Sequence, residues 1–141
     1  MHADSRGRFK FILSGQSLLE FALVLPVLVL VVFGMFDLGS AVITQNMMAN
    51  AAREGARTGI ILANTDANIR AQVRATAPTL TLTDAQIGIA PSPVRTFNSP
   101  ISVTVTFTYT PMTPIVGQIV GNGGLQLSAN SVMVVEGVNA Y

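Results

Sequence analysis

The chain has no cysteine. That excludes a disulfide framework, a thiolate metal site and a cysteine nucleophile, and it is neutral as to redox compartment. Histidine is almost as scarce, with His2 the single copy. A Ser-His-Asp set is therefore impossible beyond the N-terminal head, and a metal site would have to rest on carboxylates. Those are Asp4, Glu20, Asp37, Glu54, Asp66, Asp84 and Glu136, scattered over separate segments. The glycine-rich stretch 121–124 lacks the Lys-Ser/Thr of a phosphate loop. Charge is also short: 11% of residues are charged, against about a quarter in ordinary soluble domains. The net charge of +1 leaves no electrostatic footprint for nucleic acid. The expectation is a non-enzymatic chain with no catalytic residues, no cofactor, no metal, no small-molecule substrate and no nucleic-acid partner. At 141 residues it suits one domain.

Apolar residues make up 50% of the chain. They concentrate behind a basic head, where Arg6, Arg8 and Lys10 face a single Asp4. Residues 21–36, FALVLPVLVLVVFGMF, carry no charge, and after Asp37 the apolar character resumes through Ile43. Crossing the hydrocarbon core takes about 20 residues. Residues 21–36 fall short of that, whereas 18–43 suffice with Glu20 and Asp37 near the ends. Basic residues precede the run and almost none follow before Arg53. The positive-inside rule then puts the N-terminus in the cytoplasm and the rest outside, in a single-pass arrangement in the cytoplasmic membrane. Pro26 would argue against a helix in water; in lipid it is tolerated, and a kinked helix is expected.

Beyond the run, Gln45 to Leu62 reads QNMMANAAREGARTGIIL. Small residues recur at helical spacing, and Glu54 can pair with Arg57 at i,i+3. One helix from about Gln16 to about Leu62 is predicted, roughly 70 Å long. Its transmembrane half is 16–43 and its extracytoplasmic half 44–62. Ala52, Gly55, Ala56 and Gly59, with Gly55 and Gly59 forming a G-x-x-x-G, allow close helix packing. They either receive a neighbouring helix or seat this helix on its own domain's sheet.

Residues 63–141 read as a small α+β domain. Thr65-Asp66 caps a helix over 66–77 that Pro78 ends. Residues 91–100 hold three prolines and break the pattern. Ile101 to Thr110, ISVTVTFTYT, alternates apolar with Ser and Thr throughout, which marks a strand with one buried face. Residues 86–90 supply a shorter partner and 125–136 a less regular one. Residues 114–120 place Ile115, Val116, Ile119 and Val120 at helical offsets, and 121–124 form a turn. The expected fold is α+β: a long N-terminal helix packed on a small, mainly antiparallel sheet, since a sheet buries one face against another layer.

Glu20 stands at the mouth of the apolar run. An ionisable residue in a membrane segment marks function by default. Yet Glu20 and Asp37 lie roughly 26 Å apart along a helix, so each can also sit at a headgroup interface; Asp37 sits there or meets a neighbour. The pattern around Glu20 adds more. A basic leader, Gly15, four residues, then Glu20 and the aromatic Phe21 resemble the processing site of type IV pilin-like precursors. Further on, Glu20 to Pro26 (EFALVLP), Phe33 to Gly39 (FGMFDLG) and Ala51 to Arg57 (AAREGAR) are similar to segments of the TadE-like pseudopilins of tight-adherence (Tad/Flp) pilus systems. Leu127 to Glu136 resembles the family's C-terminal strand more weakly. One departure is Ser40, where the family often has Arg.

That resemblance implies that residues 1–15 are a leader removed by a prepilin peptidase between Gly15 and Gln16. It implies a minor pilin or pseudopilin whose partners are that peptidase, other pilin subunits, the Tad secretion machinery and membrane lipid. It also implies a possible place in an extracellular pilus and in cell adhesion. Glu20 and Phe21 become assembly and recognition residues. A carboxylate in an apolar assembly needs a cationic partner, and the new amine of Gln16 on a neighbouring subunit is one. The competing readings are a secreted binding domain cut after Gly39-Ser-Ala41, and an uncut membrane-anchored domain unrelated to pili.

Overall fold

A computed structural model of the chain describes residues 6–113, 117–118, 121 and 124–136, with side chains from residue 15 onward. Arg6–Gly59 form a single helix, α1, unbroken at Pro26. Its end has a concrete cause. The last carbonyls of a helix lack intrahelical donors, and here three separate groups supply them. Asn64 Nδ2 donates to the Thr58 carbonyl at 2.8 Å, Arg95 Nη1 to that of Gly59 at 3.3 Å, and the Glu136 N–H to that of Ile60 at 2.9 Å. Ile61 also pairs with Glu136 in a parallel bridge. The helix predicted to run to Leu62 thus stops at Gly59, because tertiary partners take over its final carbonyls.

A second helix, α2, spans Asp66–Thr76. Thr65 caps it by accepting from the Asn68 N–H, as the sequence pattern suggests, and Ile69 and Val73 form its buried face. A 3-10 turn at Asp84–Gln86 leads into strand β1, Ile87–Ala90. Strands β2, Pro100–Tyr109, and β3, Leu125–Val134, complete an antiparallel sheet in the order β1-β2-β3. The β2–β3 register runs without interruption from Pro100↔Val134 to Tyr109↔Leu125. Gly121 and Gly124 both have positive φ, and the Gly124 N–H returns to the Gly121 carbonyl. A Cβ on Gly124 would lie 2.7 Å from the Tyr109 carbonyl oxygen. The apolar helical pattern at 114–120 falls mostly outside the described residues.

The alternation in β2 sorts its side chains by face. Ile101, Val103 and Val105 are fully buried, while Ser102, Thr104, Thr106 and Thr108 share the opposite face. There Asn130 Nδ2 lies 2.7 Å from both Ser102 Oγ and Thr104 Oγ1. The buried face meets Met48, Ala51, Ala52 and Ala56 of α1 and Ile69 and Val73 of α2. Each fully buried Val or Ile contributes about 1.5–3 kcal/mol relative to exposure. This is the α+β architecture expected: one long helix and one short one laid over a three-stranded sheet.

Candidate functional site: the long helix and its acidic positions

Helix α1 changes character along its length. Every residue from Gly15 to Phe33 is exposed. The helix is long and apolar enough to cross a membrane, and none of its most apolar stretch is buried among the described residues. The first buried residue is Asp37, 3% exposed, followed by Thr44, Met48, Ala52, Gly55 and Gly59. Steps of three, four or seven put these on one stripe. The domain therefore grips the helix from Asp37, inside the stretch 16–43 assigned to the membrane-spanning half.

Asp37 is the tightest point of that grip. Its Oδ1 accepts from the Met112 N–H at 2.8 Å, and its Oδ2 accepts from the Thr113 N–H at 3.1 Å and from the Thr113 hydroxyl. The Tyr109 hydroxyl donates to the Asp37 carbonyl at 3.2 Å. Three donors converge on an acceptor-only carboxylate, and charge-assisted bonds of this kind are the strong ones. Higher up, Gln45 Nε2 donates to the Ser128 carbonyl at 2.9 Å. So β2 runs antiparallel to the helix, with Tyr109 beside Asp37, and β3 runs parallel to it.

The small residues face inward. A Cβ on Gly55 would come within 2.5 Å of Val73 Cγ2 and 3.1 Å of Val103 Cγ1; one on Gly59 would come within 2.4 Å of Ile101 Cδ1 and 3.1 Å of Ile69 Cδ1. Ala52 and Ala56 are fully buried beside them. The G-x-x-x-G brings α1 against α2 and the sheet of the same chain. The outward face of this half carries Asn46, Asn50, Arg53 and Arg57, all exposed. Arg57 and Glu54 form the expected i,i+3 pair at 3.9 Å, with side chains 74% and 44% exposed, a geometry that adds little stability.

At the other end, Gly15 is exposed and a Cβ there would meet nothing within 4 Å. Gln16 Nε2 and Glu20 Oε1 lie 3.4 Å apart, one helical turn along, and Phe21 is exposed beside them. Gly15, Gln16, Glu20 and Phe21 thus form one open stretch of helix. Sequence reasoning missed Met112 and Thr113 as the partners of Asp37. It also missed Arg95, whose Nη2 lies 2.7 Å from Asp66 Oδ1 in a part-buried pair, the side chains 4% and 14% exposed. The Ser92 hydroxyl donates to the other Asp66 oxygen. No local signal marks these pairs, because each joins residues far apart in the chain.

Comparison with known families bears on the same helix. The family model described as TadE-like protein matches residues 15–57. The match begins at Gly15, and it covers the bare apolar run and almost all of the gripped stripe. Over that helix the chain is similar to TadE-like proteins. No curated protein and no solved structure matches the chain.

Proposed function

We propose that this chain, TadE-like over residues 15–57, is a minor pilin or pseudopilin: a structural subunit of a Tad/Flp-type pilus rather than an enzyme. In this reading a prepilin peptidase removes residues 1–15. The subunit then waits as a single-pass protein of the cytoplasmic membrane, N-terminus inside and domain outside, until it joins other subunits. The observation that carries the reading is the bare stretch of α1. A helix that leaves Gly15 to Phe33 wholly exposed buries them against something else, first lipid and then neighbouring helices. Glu20 lies open within that stretch, available to the amine that cleavage would create on a neighbour's Gln16.

The structure weighs against the secreted alternative. A cut after Ala41 would remove Asp37, and with it the acceptor of the Met112 and Thr113 N–H groups. A domain that uses Asp37 to close its own loop is better served by keeping the helix.

The test is the N-terminal mass of the protein extracted from membranes. An N-terminus at Gln16, lost when Gly15 is replaced by a bulky residue, is the expected result. One at Val42 would make the protein a secreted domain. An intact Met1 in cells that process other pilins would leave an uncut anchor and end the pilin reading.

A further inference from the structure

The grip on Asp37 fixes the height at which the domain begins. Residues 16–36 extend roughly 30 Å along a helix, the thickness of the hydrocarbon core. Outward apolar character does not end there. Leu38, Val42 and Ile43 are exposed as well, and apart from Ser40 the exposed residues turn polar only from Asn46. A headgroup layer adds roughly 5–7 Å on each side, about four or five helical residues. With the hydrocarbon core set against residues 16–36, the residues from Asp37 to about Ala41 coincide with the outer headgroup layer.

Hydrogen bonds from residues 109, 112 and 113 hold the segment Tyr109–Thr113 to Asp37, at the inner margin of this layer. Its composition suits the place. It carries no charge, and it presents Met112 with 86% of its surface exposed. Tyr109 is an amphipathic ring of the kind enriched at membrane–water interfaces. The backbone N–H groups of Met112 and Thr113, which would resist leaving water, are already satisfied by Asp37.

We infer that the segment Tyr109–Thr113 is a membrane foot: while the protein is anchored, Met112 inserts among lipid headgroups and the domain stands on the bilayer surface instead of swinging free of it. The occupant is the lipid surface itself. With no charge in the segment, a zwitterionic bilayer suffices and salt has little effect on the contact. This inference rests on the membrane-spanning part of the reading above and is independent of any pilus.

The absence of native cysteine makes the test direct. Single cysteines replace Met112, Val29 in the bare run, and Phe97, an exposed residue beside the opposite end of β2. Each carries an environment-sensitive fluorophore in the full chain, reconstituted in phosphatidylcholine vesicles. Quenchers are aqueous iodide and lipids labelled at shallow or deep acyl positions. The expected pattern is deep quenching at Val29→Cys, iodide quenching at Phe97→Cys, and at Met112→Cys shallow-lipid quenching with iodide quenching reduced several-fold below Phe97→Cys. A label at Thr110→Cys should show the same protection and lose it with Met112→Asp. Iodide access at Met112→Cys equal to that at Phe97→Cys, with Val29→Cys still quenched by deep lipid, would overturn the foot and leave the span intact. Protection that vanishes on dilution of protein in lipid would assign the segment to a second copy of the chain and overturn it too. No lipid quenching at Val29→Cys would remove the span and the foot together.

Discussion

Gly55→Ala and Gly39→Ala are the same change on the same helix, and they should move stability in opposite directions. At Gly39 a Cβ meets nothing within 4 Å, so only helix propensity acts, a gain of up to about 1 kcal/mol. At Gly55 the same gain opposes a clash. The new methyl would sit 2.5 Å from Val73 Cγ2 and 3.1 Å from Val103 Cγ1, where carbon pairs prefer about 3.5–4.0 Å. Both partners are fully buried, and β-branched side chains are stiff at χ1, so neither methyl can swing away. Helix α1 must back off from α2 and the sheet, and overpacking of this kind costs about 1–3 kcal/mol. With two rigid walls the upper part of that range applies, leaving a net loss of about 1–2 kcal/mol. For an extramembrane body of roughly 100 residues, each kcal/mol moves Tm by about 4–8 °C. Scanning calorimetry of the full chain in detergent should therefore show Gly55→Ala melting about 5–10 °C below the parent and Gly39→Ala a few degrees above it. Gly59→Ala should fall between, because the atom it strikes is the free end of Ile101. A Gly55→Ala melt as high as that of Gly39→Ala would refute the reasoning, since close approach of α1 to the domain would then not need glycine.

Other parts of the structure yield further expectations. Asp37→Ala should free the Met112 and Thr113 amides, raising their hydrogen-exchange rates without changing those of β2 residues 101–105; unchanged protection at both amides would mean that the loop is held by other contacts. Arg95→Ala strands Asp66 and uncaps the Gly59 carbonyl, and breaking a pair this little exposed should cost about 3 kcal/mol, read as a lowered unfolding midpoint in denaturant; an exchange of the pair for two apolar residues should recover most of that loss. Glu20→Ala should leave processing at Gly15 intact by mass while reducing incorporation into pili; normal pilus formation by this variant would count against a register role for the carboxylate.

The elements that sequence patterns located correctly are those whose signals are local. The alternation in residues 101–110 is a property of neighbours in the chain, and it marked both the strand and its buried face. The Thr65 cap and the buried spacing of Ile69 and Val73 are equally local, and α2 formed there. Small residues at helical spacing showed that α1 approaches something closely but not what it approaches, because sheet and helix present the same demand for space. The acidic positions divide the same way. Glu20 stood out through its flanking residues, whereas the partners of Asp37 lie 75 and 76 residues on. The loop of prolines at 91–100 looked unstructured because the order there comes from Arg95 reaching Asp66 and the end of α1, a contact that no periodicity announces.

The uninterrupted passage of α1 from the bare run into the gripped stripe gives Glu20 a compass bearing. One continuous helix carries both Glu20 and Asp37, with Pro26 between them. At 3.6 residues per turn, the seventeen positions between them rotate Glu20 to about 100° around the axis from the side on which the domain sits. In the assembly proposed above, the domain's azimuth determines which neighbour Glu20 addresses. Adding or deleting one residue between Phe21 and Phe36 would leave every contact within the domain intact and turn that heading by about 100°. The apolar run is a spacer in length and also a dial in angle.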